Sequence, residues 1–258
     1  MGRYTSIKAW TDCGAAWIRI DRPPMNVLNI ETIEEMNDAI SAVKDQEKRI
    51  RALVIASEGE KAFSAGVDVA DHTPDKVEKM LKVFHELFWR LEELEVPTVA
   101  AVRGAALGGG CELALCCDMV VVADNAKLGQ PECKVGVFPT LATVILPRLI
   151  ANKRAFELLI SGDVIGAKEA HALGLVNQVV PLTAFEEGFQ AFLRRITTLS
   201  GPVLRTLKRA IRKAEVLPVR EALNQVEEVY LKELMQTRDA QEGLRAFMEK
   251  RAPVWGDE

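Results

Sequence analysis

The chain has 258 residues, 33 of them Lys or Arg against 37 Asp or Glu, for a formal charge of −4. Hydrophobic residues make up 48% and charged residues 27%, the composition of a soluble globular protein. This excludes a disordered chain, a collagen-like chain and a basic nucleic-acid binder, since no net positive field draws in a polyanion. The length suits one large domain, or one domain with an appendage, and a substantial core.

In chain order, Thr5–Trp10 and Ala15–Asp21 are short β-like runs flanking a Thr11-Asp12-Cys13-Gly14 turn, which predicts a hairpin. Arg22-Pro23-Pro24 stops the second strand. Asn29–Asp45 carries Ile33, Met36, Ile40 and Val43 on one helical face. Arg51–Ser57 is an apolar run suited to a buried strand. A long amphipathic helix follows from Asp75 to about Leu94, ended by Pro97, and Thr98–Arg103 reads as another buried strand. Gly104, Gly108, Gly109 and Gly110 precede a small-residue helix, Cys111–Cys117, and a strand, Met119–Ala123. Strands alternating with helices predict an α/β protein. From about Pro202 the pattern is helical, in segments 203–214, 219–236 and 239–250. The expected division is a core over 1–200 and a helical region over 201–258.

No run reaches the roughly 18 apolar residues of a membrane span, and the N-terminus does not read as a signal peptide. The five cysteines, Cys13, Cys111, Cys116, Cys117 and Cys133, read as buried reduced thiols, because an odd number with two adjacent makes a poor disulfide framework. These features point to a cytoplasmic protein.

Leu107-Gly108-Gly109-Gly110-Cys111-Glu112 opens a helix with glycines, which lets a ligand approach the backbone and leaves the first amides unpaired. It is neither a dinucleotide fingerprint nor a P-loop; tight helix–strand packing explains it equally well. Glu112 in the first turn is read as a helix cap or as a functional carboxylate. Glu132, in Leu128-Gly129-Gln130-Pro131-Glu132, is a second carboxylate among apolar neighbours. Two such groups can be driven to different protonation states, as acid–base chemistry requires, although spacing alone does not show that they meet. Lys61-Ala62-Phe63-Ser64-Ala65-Gly66-Val67-Asp68 follows a strand and reads on its own as a turn capped by Asp68. His72, His85 and His171 are scattered without a second ligand at metal spacing, and His85 reads as structural. No nucleophile elbow is present. Lys208-Arg209 and Arg212-Lys213 read as a solvated helix face or as a contact for phosphate.

Taken in order, AFSAGVD, GAALGGGCELALCCD and LGQPE resemble the crotonase (enoyl-CoA hydratase/isomerase) superfamily. RPPMNVLNIETIEEM, SGDVIGAKEAHALGLVNQVV and DAQEGLRAFMEKRAPVW extend the resemblance along the chain. It implies a spiral of β-β-α turns with C-terminal helices that build a homotrimer, often paired into a homohexamer. It also implies an acyl-CoA thioester substrate, with coenzyme A as part of that substrate and no metal or redox cofactor. By matching motif positions, the N–H groups of Val67 and Gly109 become an oxyanion hole, and Ala65, Val67, Asp68 and Lys61 lie on the CoA side. Glu112 becomes the residue that activates water and Glu132 the donor to the α-carbon, a pairing that favours hydration over isomerisation.

Two departures accompany the resemblance. Val69-Ala70 stands where hydratases often carry a CoA-binding lysine, leaving Lys61 or the C-terminal basic cluster for the phosphates. The usual P-G-A-G-G stretch is replaced by Phe138-Pro139-Thr140-Leu141-Ala142-Thr143, so Leu141 and Thr143 are expected to reshape the acyl pocket wall. That segment is similar to members that hydrate cyclic dienoyl-CoA esters. The alternatives to a linear enoyl-CoA hydratase are therefore a cyclic dienoyl-CoA hydratase, an isomerase, or a protein of this fold that binds acyl-CoA or RNA without turnover.

Overall fold

The structure is a computed structural model that describes residues 4–257. Its strands are β1 (Ile7–Asp12), β2 (Ala15–Ile20), β3 (Ala52–Ser57), β4 (Ala62–Ser64), β5 (Thr98–Val102), β6 (Ala105–Leu107), β7 (Met119–Ala123), β8 (Lys127–Gly129), β9 (Val164–Gly166) and β10 (Gln178–Val180). Helices α1 (Ile30–Lys44), α2 (Val77–Glu92), α3 (Gly109–Leu115), α4 (Thr140–Leu149), α5 (Asn152–Ser161), α6 (Ala167–Ala172) and α7 (Phe185–Thr197) are threaded between and after them. Three more, α8 (Gly201–Ala214), α9 (Val219–Lys232) and α10 (Arg238–Met248), close the chain.

The strands divide into a six-stranded sheet, ordered β1-β2-β3-β5-β7-β10, and a four-stranded sheet, ordered β4-β6-β8-β9. Three successive turns of chain follow one rule: a strand in the large sheet, a strand in the small sheet, then a helix. They are β3-β4-α2, β5-β6-α3 and β7-β8-α4. Pairing between consecutive turns is parallel in both sheets. This is the expected spiral of β-β-α turns.

Why the large sheet reads as unbroken apolar runs is clear from its two faces, both covered. Leu53 and Ile55 of β3 point toward α1 and α2, joining Ile33, Met36, Ile40, Phe84 and Leu87. Ala52 and Val54, on the other face, meet Phe185, Phe189, Phe192 and Leu193 of α7. Helix α7 lies before the helical region expected from 202. Its apolar residues recur every three or four positions, and Gly188 inside it lets the helix close onto Val180.

The first strand begins two residues later than expected. Thr5 and Ser6 give their amides to the Glu35 carboxylate, both at 2.8 Å, rather than to the sheet. The hairpin turn is the two residues Cys13-Gly14, both at positive φ (47° and 78°), which suits the twist of the paired strands. Cys111 and Cys117 are buried as expected, but Cys13 and Cys133 are exposed. No helix among the described residues is long and apolar enough to cross a membrane.

The C-terminal basic cluster is corrected by the structure. Lys208 is buried, donating to Asp118 Oδ2 at 2.7 Å and to the Val96 carbonyl at 3.0 Å. Arg212 holds the other Asp118 oxygen at 2.9 Å, and Arg209 bridges Glu95 at 2.6 Å and Glu233. Three of the four cations thus dock α8 against the β5 and β7 ends rather than facing solvent. Asp118 also accepts from Thr98 N–H and Oγ–H. Removing one partner of a buried pair strands the other charge, so Asp118→Ala is expected to cost about 3 kcal/mol in urea unfolding. A cost below about 0.5 kcal/mol would mean that α8 docks through apolar contact alone.

Candidate active site

Helix α3 is buried on every side, and its N-terminus meets the small sheet at a seam of glycines. Gly108 has φ 52° and ψ −129°, a backbone conformation that side-chain-bearing residues avoid. A Cβ there would stand 2.5 Å from Glu132 Oε1. A Cβ on Gly109 would stand 2.7 Å from Val67 Cγ2 and 3.3 Å from Val67 N. A side chain at either position would therefore displace a group of the site.

The parallel pairing of β6 with β8 unites the two sequence segments. Gly108 N–H donates to the Gly129 carbonyl at 2.9 Å, which sets Gly109 and Glu112 beside Gln130 and Glu132. The pairing of β4 with β6 brings the 65–68 strip to the same place. This strip is tied to the loop after β2: Ala65 N–H donates to Met25 O, Leu28 N–H to Gly66 O and Asp68 N–H to Leu28 O, at 2.9 to 3.0 Å. The groups between these ties are left over. Val67 N–H and the carbonyls of Ala65 and Val67 have no hydrogen-bond partner among the described residues. Gly109 N–H is the first amide of α3 and has no intrahelical acceptor. Two free amides therefore lie side by side.

Glu112 is 3% exposed, and its Oε1 accepts from Ala142 N–H at 2.7 Å. Its carboxyl is pushed up to about 7, chiefly by burial and also by the charge of Glu132, against the downward pull of the Ala142 and Leu141 amides. The Glu132 carboxyl is also raised, mainly by burial, with His72 acting in the opposite direction. Its Oε2 is buried without a partner, as are both polar atoms of the Gln130 side chain, a residue 2% exposed. An unpartnered buried amide beside an unpartnered carboxyl oxygen is where a polar ligand or water gains most.

Not every expected residue joins this cluster. Lys61 is exposed at the start of β4, at the opposite end of that strand from Val67, and its carbonyl accepts from Ala105 N–H. Asp68 turns its side chain back to cap the following turn, accepting from Ala70 N–H at 3.0 Å. Of the altered 138–143 segment, Leu141 points inward and joins the core, whereas Thr143 is exposed and donates its hydroxyl to Pro139 O. Gln130, whose amide stands beside the glutamate pair in sequence, does lie in this cluster, whereas His72, read as a scattered histidine, is the residue whose place here the sequence did not show. No motif or spacing marks His72.

Because Glu112 sits above its unfolded value of about 4.3, the fold favours its protonated form. The cost of ionising it is absent below that value and grows as pH rises through about 7, reaching about 3 kcal/mol. Glu112→Gln should therefore gain stability over the parent between about pH 4.5 and pH 8, read by denaturant midpoints. An advantage equal at both ends would show that Glu112 does not titrate in that window.

The family model described as Enoyl-CoA hydratase/isomerase matches residues 11–258. The chain is 36% identical over 251 residues to cyclohexa-1,5-dienecarbonyl-CoA hydratase of Thauera aromatica, covering 96% of each protein. It is 37% identical over 241 residues to crotonyl-CoA hydratase of Syntrophomonas wolfei, covering 92% of each. Among solved structures, enoyl-CoA hydratase from Bacillus anthracis superposes with a TM-score of 0.93 at 32% identity, over 98% of this chain and 100% of the other.

Proposed function

Since the chain belongs to the enoyl-CoA hydratase/isomerase family, we propose that it is a hydro-lyase adding water across the α,β double bond of an acyl-CoA thioester. The observation that carries this reading is the glycine seam, with the free Val67 and Gly109 amides on one side and two raised carboxyls on the other. In this reading the thioester oxygen lies between the two amides, and each donor stabilises the developing enolate by about 3 kcal/mol. Glu112 takes a proton from water as its oxygen bonds to the β-carbon. Glu132 gives its proton to the α-carbon, where the π electrons of the former double bond become the new C–H bond. One proton is consumed and one is returned to the pair, so no electron leaves the site. The step needs no metal or redox cofactor.

The unbonded carbonyls of Ala65 and Val67 support a CoA-facing strip, with the backbone of Asp68 continuing it. Lys61, exposed beyond β4, is the phosphate contact we propose in place of the docked 208–212 cations. A cyclic diene is the second reading of the substrate. It is favoured by Leu141, a large buried residue in place of the small ones of the family motif, and by the similarity to the Thauera hydratase across nearly the whole chain.

We also propose a homotrimer or a pair of trimers, supported by exposed apolar side chains on the last three helices: Leu207, Ile211, Leu223, Leu231 and Phe247. Mass photometry is expected to give species in multiples of three, and a monomer at micromolar concentration would refute the assembly.

Absorbance-monitored hydration of crotonyl-CoA beside cyclohexa-1,5-diene-1-carbonyl-CoA tests the reaction. Glu112→Gln and Glu132→Gln are each expected to lower kcat by about 100-fold or more on the accepted thioester. Turnover of the cyclic substrate alone assigns the second reading. Both variants matching the parent would end the hydratase assignment.

A further inference from the structure

Helix α4 starts without a cap of its own. Pro139 occupies the N-cap position and has no side-chain acceptor to offer, so the first-turn amides reach across to Glu112. The carboxylate that we read as the activator of water is thereby the cap of another helix. Its direction is set by wherever that first turn of α4 stands.

A second bond fixes the turn. His85 Nε2 and Thr140 Oγ1 are 2.8 Å apart and share a hydrogen bond between α2 and the first residue of α4. His85 is half-buried, and its neighbour Phe84 lies 3.3 Å from where a Gly109 Cβ would stand. Asn37 of α1 donates to Val83 O at 2.9 Å and pins that stretch of α2. Consecutive residues of one helix therefore meet the oxyanion glycine and the turn that holds Glu112. From behind, Pro139 O accepts both Thr143 N–H at 3.1 Å and its hydroxyl at 2.6 Å. With that carbonyl taken, the Thr140 hydroxyl is the polar group of the turn that faces α2.

We propose that His85 and Thr140 are positioning residues for Glu112: their hydrogen bond fixes the first turn of α4 and with it the direction of Glu112 Oε1. The inference rests on the reading of Glu112 as the acceptor of water's proton. Neither residue touches the reacting atoms. Thr140 stands where the family motif runs P-G-A-G-G, so a glycine at that position would have no hydroxyl for α2 to hold.

The test uses Thr140→Val, which keeps the shape and removes the hydroxyl, with Thr140→Ser, His85→Ala and the double variant. With crotonyl-CoA or the cyclic diene, whichever the parent hydrates, T140V is expected to lower kcat about 10-fold or more. KM should stay within about twofold, because the oxyanion and CoA contacts are untouched. T140S should restore kcat, and H85A/T140V should be no slower than the slower single variant, as expected of one shared bond. A T140V kcat within about twofold of the parent overturns the proposal. A second readout does not depend on turnover: carbon-13 NMR of labelled glutamate carboxyls follows Glu112 directly. Loosening the turn weakens the Ala142 bond that holds Glu112 down, so its titration in T140V should move upward by about half a pH unit and return in T140S. An unmoved titration overturns the pair even if the parent hydrates well. A parent that hydrates neither thioester, with a titration that does move, overturns the hydratase reading and leaves the pair standing.

Discussion

The close approach of α3 to β4 and Glu132 is the constraint on which the rest of the site depends. It is possible because positions 108, 109 and 110 carry no Cβ; at each of them one would run into the site or into Ser64 of β4. The approach has three effects at once. It lays the amide of Gly109 beside that of Val67, it leaves room for the Glu132 carboxyl, and it buries Glu112 at the second turn of spiral. Each is a consequence of distance, and the helix dipole adds to the first by favouring negative charge at the amides. The cost is conformational, since glycines lose more freedom on folding than other residues.

Burial then supplies the electrostatics. An isolated carboxylate in a dry interior shifts its proton affinity rather than staying charged. Glu112 shows the contest plainly: desolvation and Glu132 push it up, while two backbone amides pull it down. A carboxyl poised near neutrality exchanges a proton with water at low cost, which a carboxyl at its ordinary value would not do. Glu132, less buried and with one oxygen unpaired, is raised by the same cause and tempered by His72. The charge of Glu132 adds to the upward push on Glu112.

Five of the six strands of the large sheet were legible in the sequence because they run for five or six residues, Met119–Ala123 to the residue, whereas the three-residue β10 was not. The small sheet was not. Its strands β4, β6, β8 and β9 have three residues each, too few to show a period. Yet it is the small sheet that brings Glu112 and Glu132 together, through a pairing such as Gly108 with Gly129 that no spacing along the chain reveals. The glycine cluster and both glutamates could be picked out by residue type, while their convergence needed the fold. Helix α7 carried a readable period in Phe185, Phe189, Phe192 and Ile196, interrupted by Gly188. The cations at 208–212 misled for a physical reason: a basic helix face looks solvated until acidic partners from distant segments, Asp118 and Glu95, are folded against it.

The capping of α4 by Glu112 ties two properties of the molecule that are usually treated apart. Ala142, whose amide the carboxylate holds, follows Leu141, the residue that walls the inner face of that turn. In the reading proposed above, shape selectivity for the acyl group and basicity of the proton acceptor share a few ångströms of backbone. A change in this turn that admits a bulkier acyl group also alters the donor geometry at Glu112 and so its affinity for a proton. On that reading, substitutions at residues 140–143 that change the accepted acyl group also retune the pH dependence, so that the two traits move together.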